Sequence, residues 1–158
     1  MLSQSQIENF FSKALDFLTN QKFELNEQGQ QERELTTYQV GPAIKSFTQN
    51  LLINQLIVRY DGHLPARPLS KYGMTFLPDA QITLHTQKLL AVEVKIIREI
   101  DPSGSLSKAI GQTQMYRALG FESAIGLIFD SRKSRHSSLS STLQLLERDR
   151  RTKFVLFS

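Results

Sequence analysis

A chain of 158 residues, 40% hydrophobic and 22% charged, is long enough to bury one core and too apolar to be a disordered tail. It has no cysteine, which excludes disulfides, thiolate zinc sites and thiol nucleophiles and fits a reducing cytoplasm. A net charge of +4 and a pI near 9.5 are compatible with a polyanionic partner, while no stretch is apolar enough for a signal peptide or a membrane span.

In chain order, residues 5–20 place Ile7, Phe10, Phe11, Ala14, Leu15 and Leu18 at helical spacing, with Ser5 as the expected N-cap. The polar run 26–34 (NEQGQQERE) is the nearest thing to a linker. Pro42 suits the first turn of a second helix, whose apolar stripe of Ile44, Phe47 and Leu51 runs towards Val58. Residues 61–68 (DGHLPARP) read as loop. The period then changes: 80–85 (AQITLH) alternates as a strand, 86–88 is a hairpin turn, and 89–97 (LLAVEVKII) is a buried strand rich in β-branched residues. DPSG at 101–104 breaks it. Helical spacing returns from Leu106 to Leu119 with Gly120 as C-cap, followed by a buried strand at 124–129, a helix at 137–147 and a strand at 153–157. The order predicts one α/β domain: an N-terminal helix within 1–25, a core from 32 to 130, and a basic C-terminal helix and strand from 131 to 158.

The residues that stand out are Glu93 and Lys95 inside Val92-Glu93-Val94-Lys95-Ile96. Alternation puts both on one face of an otherwise apolar strand, where ionised groups are costly unless paired or metal-bound. Pro78-Asp79 opens the preceding strand of the hairpin, so antiparallel pairing brings Asp79 beside Glu93 and Lys95. Two carboxylates and a lysine suit hydrolysis of a phosphodiester bond. Hard oxygen ligands favour Mg²⁺ or Mn²⁺, and Lys95 would orient water or stabilise the phosphate.

Pro78-Asp79 followed by Glu93-Val94-Lys95 resembles the PD-(D/E)xK nuclease superfamily, over roughly residues 74–130. The resemblance implies a restriction-endonuclease-like three-layer sandwich with a central mixed sheet. It also implies a Mg²⁺-dependent deoxyribonuclease, an endonuclease in preference to an exonuclease, with Asp79 and Glu93 as metal ligands and Lys95 as the catalytic base or phosphate contact. Many members carry a further metal-binding glutamate on the first core helix. Here Glu32 and Glu34 are available, and the similarity to Holliday-junction resolvases favours Glu32; solvated acids at a helix start are the competing reading. Gln112 and Tyr116 match the QxxxY pattern of RecB-like members, and a polar helix surface explains the same letters.

From Ser131 to Ser158 the chain carries seven cations against two acids, leaving the rest about neutral. Lys108, Arg117, Arg132, Lys133 and Arg135, with Arg98, are the candidate phosphate contacts, and the loop 62–71 could reach a groove; a solvated basic surface is the alternative. His63, His85 and His136 show no ligand spacing, and no P-loop or nucleophilic serine motif appears. DNA is the expected partner. A homodimer or partner subunit would supply the recognition surface that so short a chain lacks. The competing function is a nuclease-fold module that binds nucleic acid or assembles without catalysis.

Overall fold

The computed structural model describes residues 1–26, 29–133, 138–147 and 149–158. Helix α1 spans Gln4–Thr19 and buries Ile7, Phe10, Phe11, Ala14 and Leu18. Its N-cap is Ser3, two residues before the expected Ser5. The Ser3 hydroxyl accepts the Gln6 N–H at 3.3 Å and the Gln6 side chain accepts the Ser3 N–H at 2.8 Å, a capping box; Ser5-Gln6-Ile7-Glu8 offers the same letters one half-turn later, and the helix starts at the earlier of the two.

The polar run expected as a linker contains a helix start. Helix α2 (Glu32–Leu35) continues through a π-helical turn at Thr36–Val40 into α3 (Gly41–Gln49). Pro42 therefore follows earlier helix instead of opening it. Proline has no N–H and its ring would strike the Tyr38 carbonyl in a regular α-helix, and the wider π turn lies where that clash must be relieved. The helix also stops short of Val58: Asn50 caps it, its amide donating to the Ser46 carbonyl at 3.0 Å. Leu56–Tyr60 is strand β1, as its β-branched Ile57 and Val58 favour.

Strands β2 (Leu69–Lys71) and β3 (Met74–Phe76) form a separate small hairpin. Then come β4 (Ala80–Leu84) and β5 (Gln87–Ile97), joined by a two-residue turn at His85-Thr86. Helix α4 (Pro102–Ala118), β6 (Ser123–Asp130), α5 (Ser138–Leu145) and β7 (Thr152–Phe157) complete the chain. The five-stranded sheet has the order β1-β4-β5-β6-β7, antiparallel on the β1 and β4 side and parallel from β5 to β7.

Helices cover both faces of this mixed α/β sheet. The even-numbered residues of β5, from Leu90 to Ile96, pack with α1 and α3. Ala91 packs instead with Tyr116 and Phe121, and Ile97 with Ala109, Leu139 and Leu143, so α4 and α5 share the opposite face. The two crossovers, β5-α4-β6 and β6-α5-β7, step across the sheet in one direction; with one hand of crossover, both helices fall on one side. No helix among the described residues is long and apolar enough to cross a membrane.

Candidate active site

β5 is longer than the neighbour it pairs with. β4 begins at Ala80, opposite Val92, so the β5 backbone beyond that point has no strand on its β4 side. An unpaired N–H in a buried strand is costly. Two acids take the place of the missing strand. Asp79 Oδ2 accepts the Val94 N–H at 2.7 Å, and Glu32 Oε1 accepts the Ile96 N–H at 3.4 Å. The same glutamate pairs with Lys95, whose Nζ lies 3.0 Å from Oε1 and 3.2 Å from Oε2. The expected hairpin geometry thus places Asp79 against the Glu93-Val94-Lys95 segment. Glu32, not Glu34, is the helix acid that reaches it; Glu34 is exposed.

Glu93 faces α4, on the side of the sheet where Ala91 packs. Tyr116 Oη lies 2.7 Å from Glu93 Oε2 and 3.1 Å from the Leu77 carbonyl. Tyrosine has one proton, so it can serve only one of these oxygens. With Glu93 protonated both contacts are satisfied; with Glu93 ionised, Tyr116 donates to it and the Leu77 carbonyl loses its partner.

The electrostatics agree with that proton count. Burial, and then the neighbouring Asp79 charge, push the Glu93 carboxyl up from 4.5 to about 8, against the opposing effects of Tyr116 and Lys95. Burial also raises Asp79 from 3.8 to about 6, while the Val94 N–H works against the rise. Burial and Glu93 together raise the Tyr116 hydroxyl, which stays protonated. The two carboxyls therefore resist being ionised together unless a cation joins them.

Of the QxxxY pair, Tyr116 is fully buried on Glu93. Gln112, one turn earlier on the same side of α4, has a buried Oε1 without a hydrogen-bond partner. A further residue belongs here. Gln81 pairs with Ala91 and so shares the face of Glu93; it is 2% exposed, and its Nε2 has no partner. The alternation that singles out Glu93 and Lys95 also puts Gln81 two residues after Asp79 on the same face, and that was its only signal.

The candidate phosphate contacts divide: Arg98, Arg132 and Lys133 line one cavity, away from Asp79 and Glu93, while Lys108 and Arg117 lie along α4. Lys108 is exposed, one turn before Gln112 on α4. Arg117 lies at the far end of that helix, held by Asp149 at 3.4 Å and donating to the Phe121 carbonyl. Arg132 forms a two-pronged pair with buried Asp130, with both contacts at 2.9 Å. Lys133 is exposed beside Glu99, which accepts its backbone N–H. Arg98 donates to the Gln30 carbonyl. Arg135 and His136 lie outside the described residues.

Among the described residues, no three His, Cys, Asp or Glu side chains converge as a metal-holding group. Glu32 is drawn to Lys95, leaving Asp79 and Glu93 as the two available carboxylates. A cavity of about 560 Å³ lies on the α1 side of the sheet, lined by Phe23, Ile96, Phe129 and Phe157 together with Arg98, Arg132 and Lys133, and none of the site's acids lines it. No family model, curated protein or solved structure matches this chain.

Proposed function

We propose that this domain is a metal-dependent nuclease of the PD-(D/E)xK type that hydrolyses phosphodiester bonds in DNA. The observation that carries the reading is that Asp79 lies beside Glu93, and Lys95 is held by Glu32, where β5 outruns β4. The five-stranded mixed sheet, with the PD strand antiparallel to the ExK strand and helices on both faces, supports a restriction-endonuclease-like core.

The donor set fits Mg²⁺ or Mn²⁺. Two buried carboxylates that repel each other gain by sharing a dication, and two protein oxygens suffice for an ion that keeps several waters. When bound, the metal would acidify a water and neutralise charge on the phosphate. Asp79 and Glu93 would hold it, and Glu32 would fix the position of Lys95. Lys95 is 15% exposed at its side chain, enough to meet a phosphate oxygen or a water from the solvent side. Tyr116 fixes the Glu93 carboxylate.

The test is cleavage of supercoiled plasmid, linear duplex, single strand and four-way junction with Mg²⁺ or Mn²⁺, beside Asp79→Asn. Asparagine keeps an oxygen for the Val94 N–H and removes the charge, so the variant should fold. It should cut at least about 100-fold more slowly, the effect of losing several kcal/mol of charge stabilisation. Full activity in Asp79→Asn would remove the assignment.

One observation favours a second reading. Asp79 and Glu32 cap the β5 backbone whether or not chemistry follows, so a binding module without catalysis could keep both. Salt-dependent DNA binding with no metal-dependent cleavage would select it.

A further inference from the structure

The segment from Gly62 to Leu77 is unused by this chemistry and contains a local contradiction. β2 and β3 are joined by Tyr72-Gly73, with Lys71 paired to Met74 across the turn. Both turn residues have positive φ, 53° and 74°. Such two-residue turns favour asparagine or aspartate at the first position, and an aromatic residue there is strained. No burial offsets the strain: Tyr72 is 84% exposed and Met74 beside it is 49% exposed. The Lys71 ammonium lies 5.3 Å from the Tyr72 ring centroid.

The base of the hairpin behaves differently. Leu69 and Phe76 pack against the buried cluster of Ala91, Tyr116, Phe121 and Ala124. The Leu77 carbonyl accepts from Tyr116, the same residue that holds Glu93, and Asp79 follows two residues later. The Ser70 and Thr75 hydroxyls meet across the strands at 3.1 Å. A firmly anchored arm therefore projects a strained aromatic tip about 10 Å from its anchor, the length of three strand residues. Between Gly62 and Leu77 the charged residues are Arg67 and Lys71, with no acid.

We propose that the β2–β3 hairpin engages the DNA strand entering the site, with Tyr72 stacking on an unpaired base and Lys71 and Arg67 contacting its phosphates. The identity of the ligand rests on the nuclease reading above. An exposed ring flanked by cations and no acids suits a polyanion with accessible aromatic faces. A duplex hides its base faces except at frayed ends, so the arm favours single-stranded or unpaired segments.

The experiment measures fluorescence anisotropy of a labelled single-stranded oligonucleotide and of its fully paired duplex, with the whole chain in EDTA to silence cleavage. Tyr72→Asn supplies the residue the turn prefers, so its melting temperature should equal or exceed that of the parent. It should bind the single strand about 5- to 100-fold more weakly, the effect of losing one base–aromatic stack, with the duplex changed by less than about 2-fold. Tyr72→Phe should retain the parent's affinity. Unchanged single-strand binding by Tyr72→Asn overturns the proposal, as does a parent that binds no single strand. Sedimentation in which Tyr72→Asn turns a dimer into a monomer also overturns it, making the tip a self-association surface. The arm and the nuclease fail separately: cleavage that depends on Asp79 together with binding that ignores Tyr72 removes only the arm. Tyr72-dependent binding without metal-dependent cleavage removes only the nuclease.

Discussion

Glu93 sits in a setting that favours its neutral form, and this has a measurable consequence for stability. Its folded-state value of about 8 lies above the ordinary carboxyl value of 4.5, so folding favours the proton. The stabilisation from that proton is complete below about pH 4.5 and is lost as pH rises through about 8. Asp79 acts in the same direction over a lower window, from 3.8 to about 6. The metal-free protein should therefore weaken steadily from acid to alkaline pH. Glu93→Gln keeps the shape of the neutral carboxyl and cannot ionise. In EDTA near pH 9 it should be more stable than the parent by about 1–3 kcal/mol, with the difference shrinking towards pH 5. Denaturant unfolding at the two pH values measures this, and identical pH slopes for the two proteins would show that Glu93 does not hold its proton in the fold.

At the scale of elements, the site depends on how closely α4 approaches the sheet. Gly126 of β6 pairs with Glu93 and lies under that helix. A methyl group there would come within 2.7 Å of Phe154 and 2.9 Å of the Thr113 hydroxyl, closer than carbon atoms tolerate. Thr113 is fully buried and one turn from Ala109, whose carbonyl accepts its hydroxyl, so it has little room to yield. Gly126→Ala should cost about 1–3 kcal/mol by overpacking. By lifting α4 it should also loosen Tyr116 from Glu93 and lower cleavage more than the stability loss alone explains. Thermal unfolding and cleavage rates measured together check both parts. The reach of Glu32 belongs to this scale too. A four-residue helix carries it across 63 positions of sequence to Lys95, and the packing of the following π turn and α3 against the sheet determines that approach.

Across the whole molecule, the cation proposed at the site would link its binding to folding. A dication that displaces the Glu93 proton binds the folded state alone, so it should raise the melting temperature, by an amount equivalent to about 2.7 kcal/mol at roughly 100 times its dissociation constant. Because metal and proton compete, the rise should be larger near pH 8 than near pH 5.5, and Glu93→Gln should lose most of it. A thermal shift with Mg²⁺ or Mn²⁺ that is equal in the parent and in Glu93→Gln would place the metal elsewhere. The basic C-terminal region also reads differently once folded. Arg151 meets Glu122 at 3.3 Å, Lys153 meets Glu147 at 2.8 Å, and Arg117 and Arg132 are held by Asp149 and Asp130. Arg117 and Arg132, two of the candidate phosphate contacts, are thus paired with acids within the fold. Among the described residues, exposed cations include Lys108 on α4 and, before and within β2, Arg67 and Lys71.

Sequence alone determined what repeats over a few residues. Alternation placed Glu93 and Lys95 on one face of a buried strand, the hairpin spacing brought Asp79 beside them, and the change of period marked β4 through β7. These patterns follow from backbone geometry and the local hydrophobic pattern. Tertiary structure decided the rest, because the remaining partners lie far apart in the chain. Only packing could choose Glu32 over Glu34 and join Tyr116 to Glu93 and Leu77. Only packing could leave Gln81 and Gln112 with orphaned amide atoms, or bring Glu122 to Arg151 of the basic tail. The β2–β3 hairpin was illegible for a different reason: three residues per strand are too few to show a period, and Tyr72-Gly73 lacks the asparagine or aspartate that marks such turns. The physical divide is range, since periodicity is set by neighbours in sequence and these contacts are set by the meeting of separate elements.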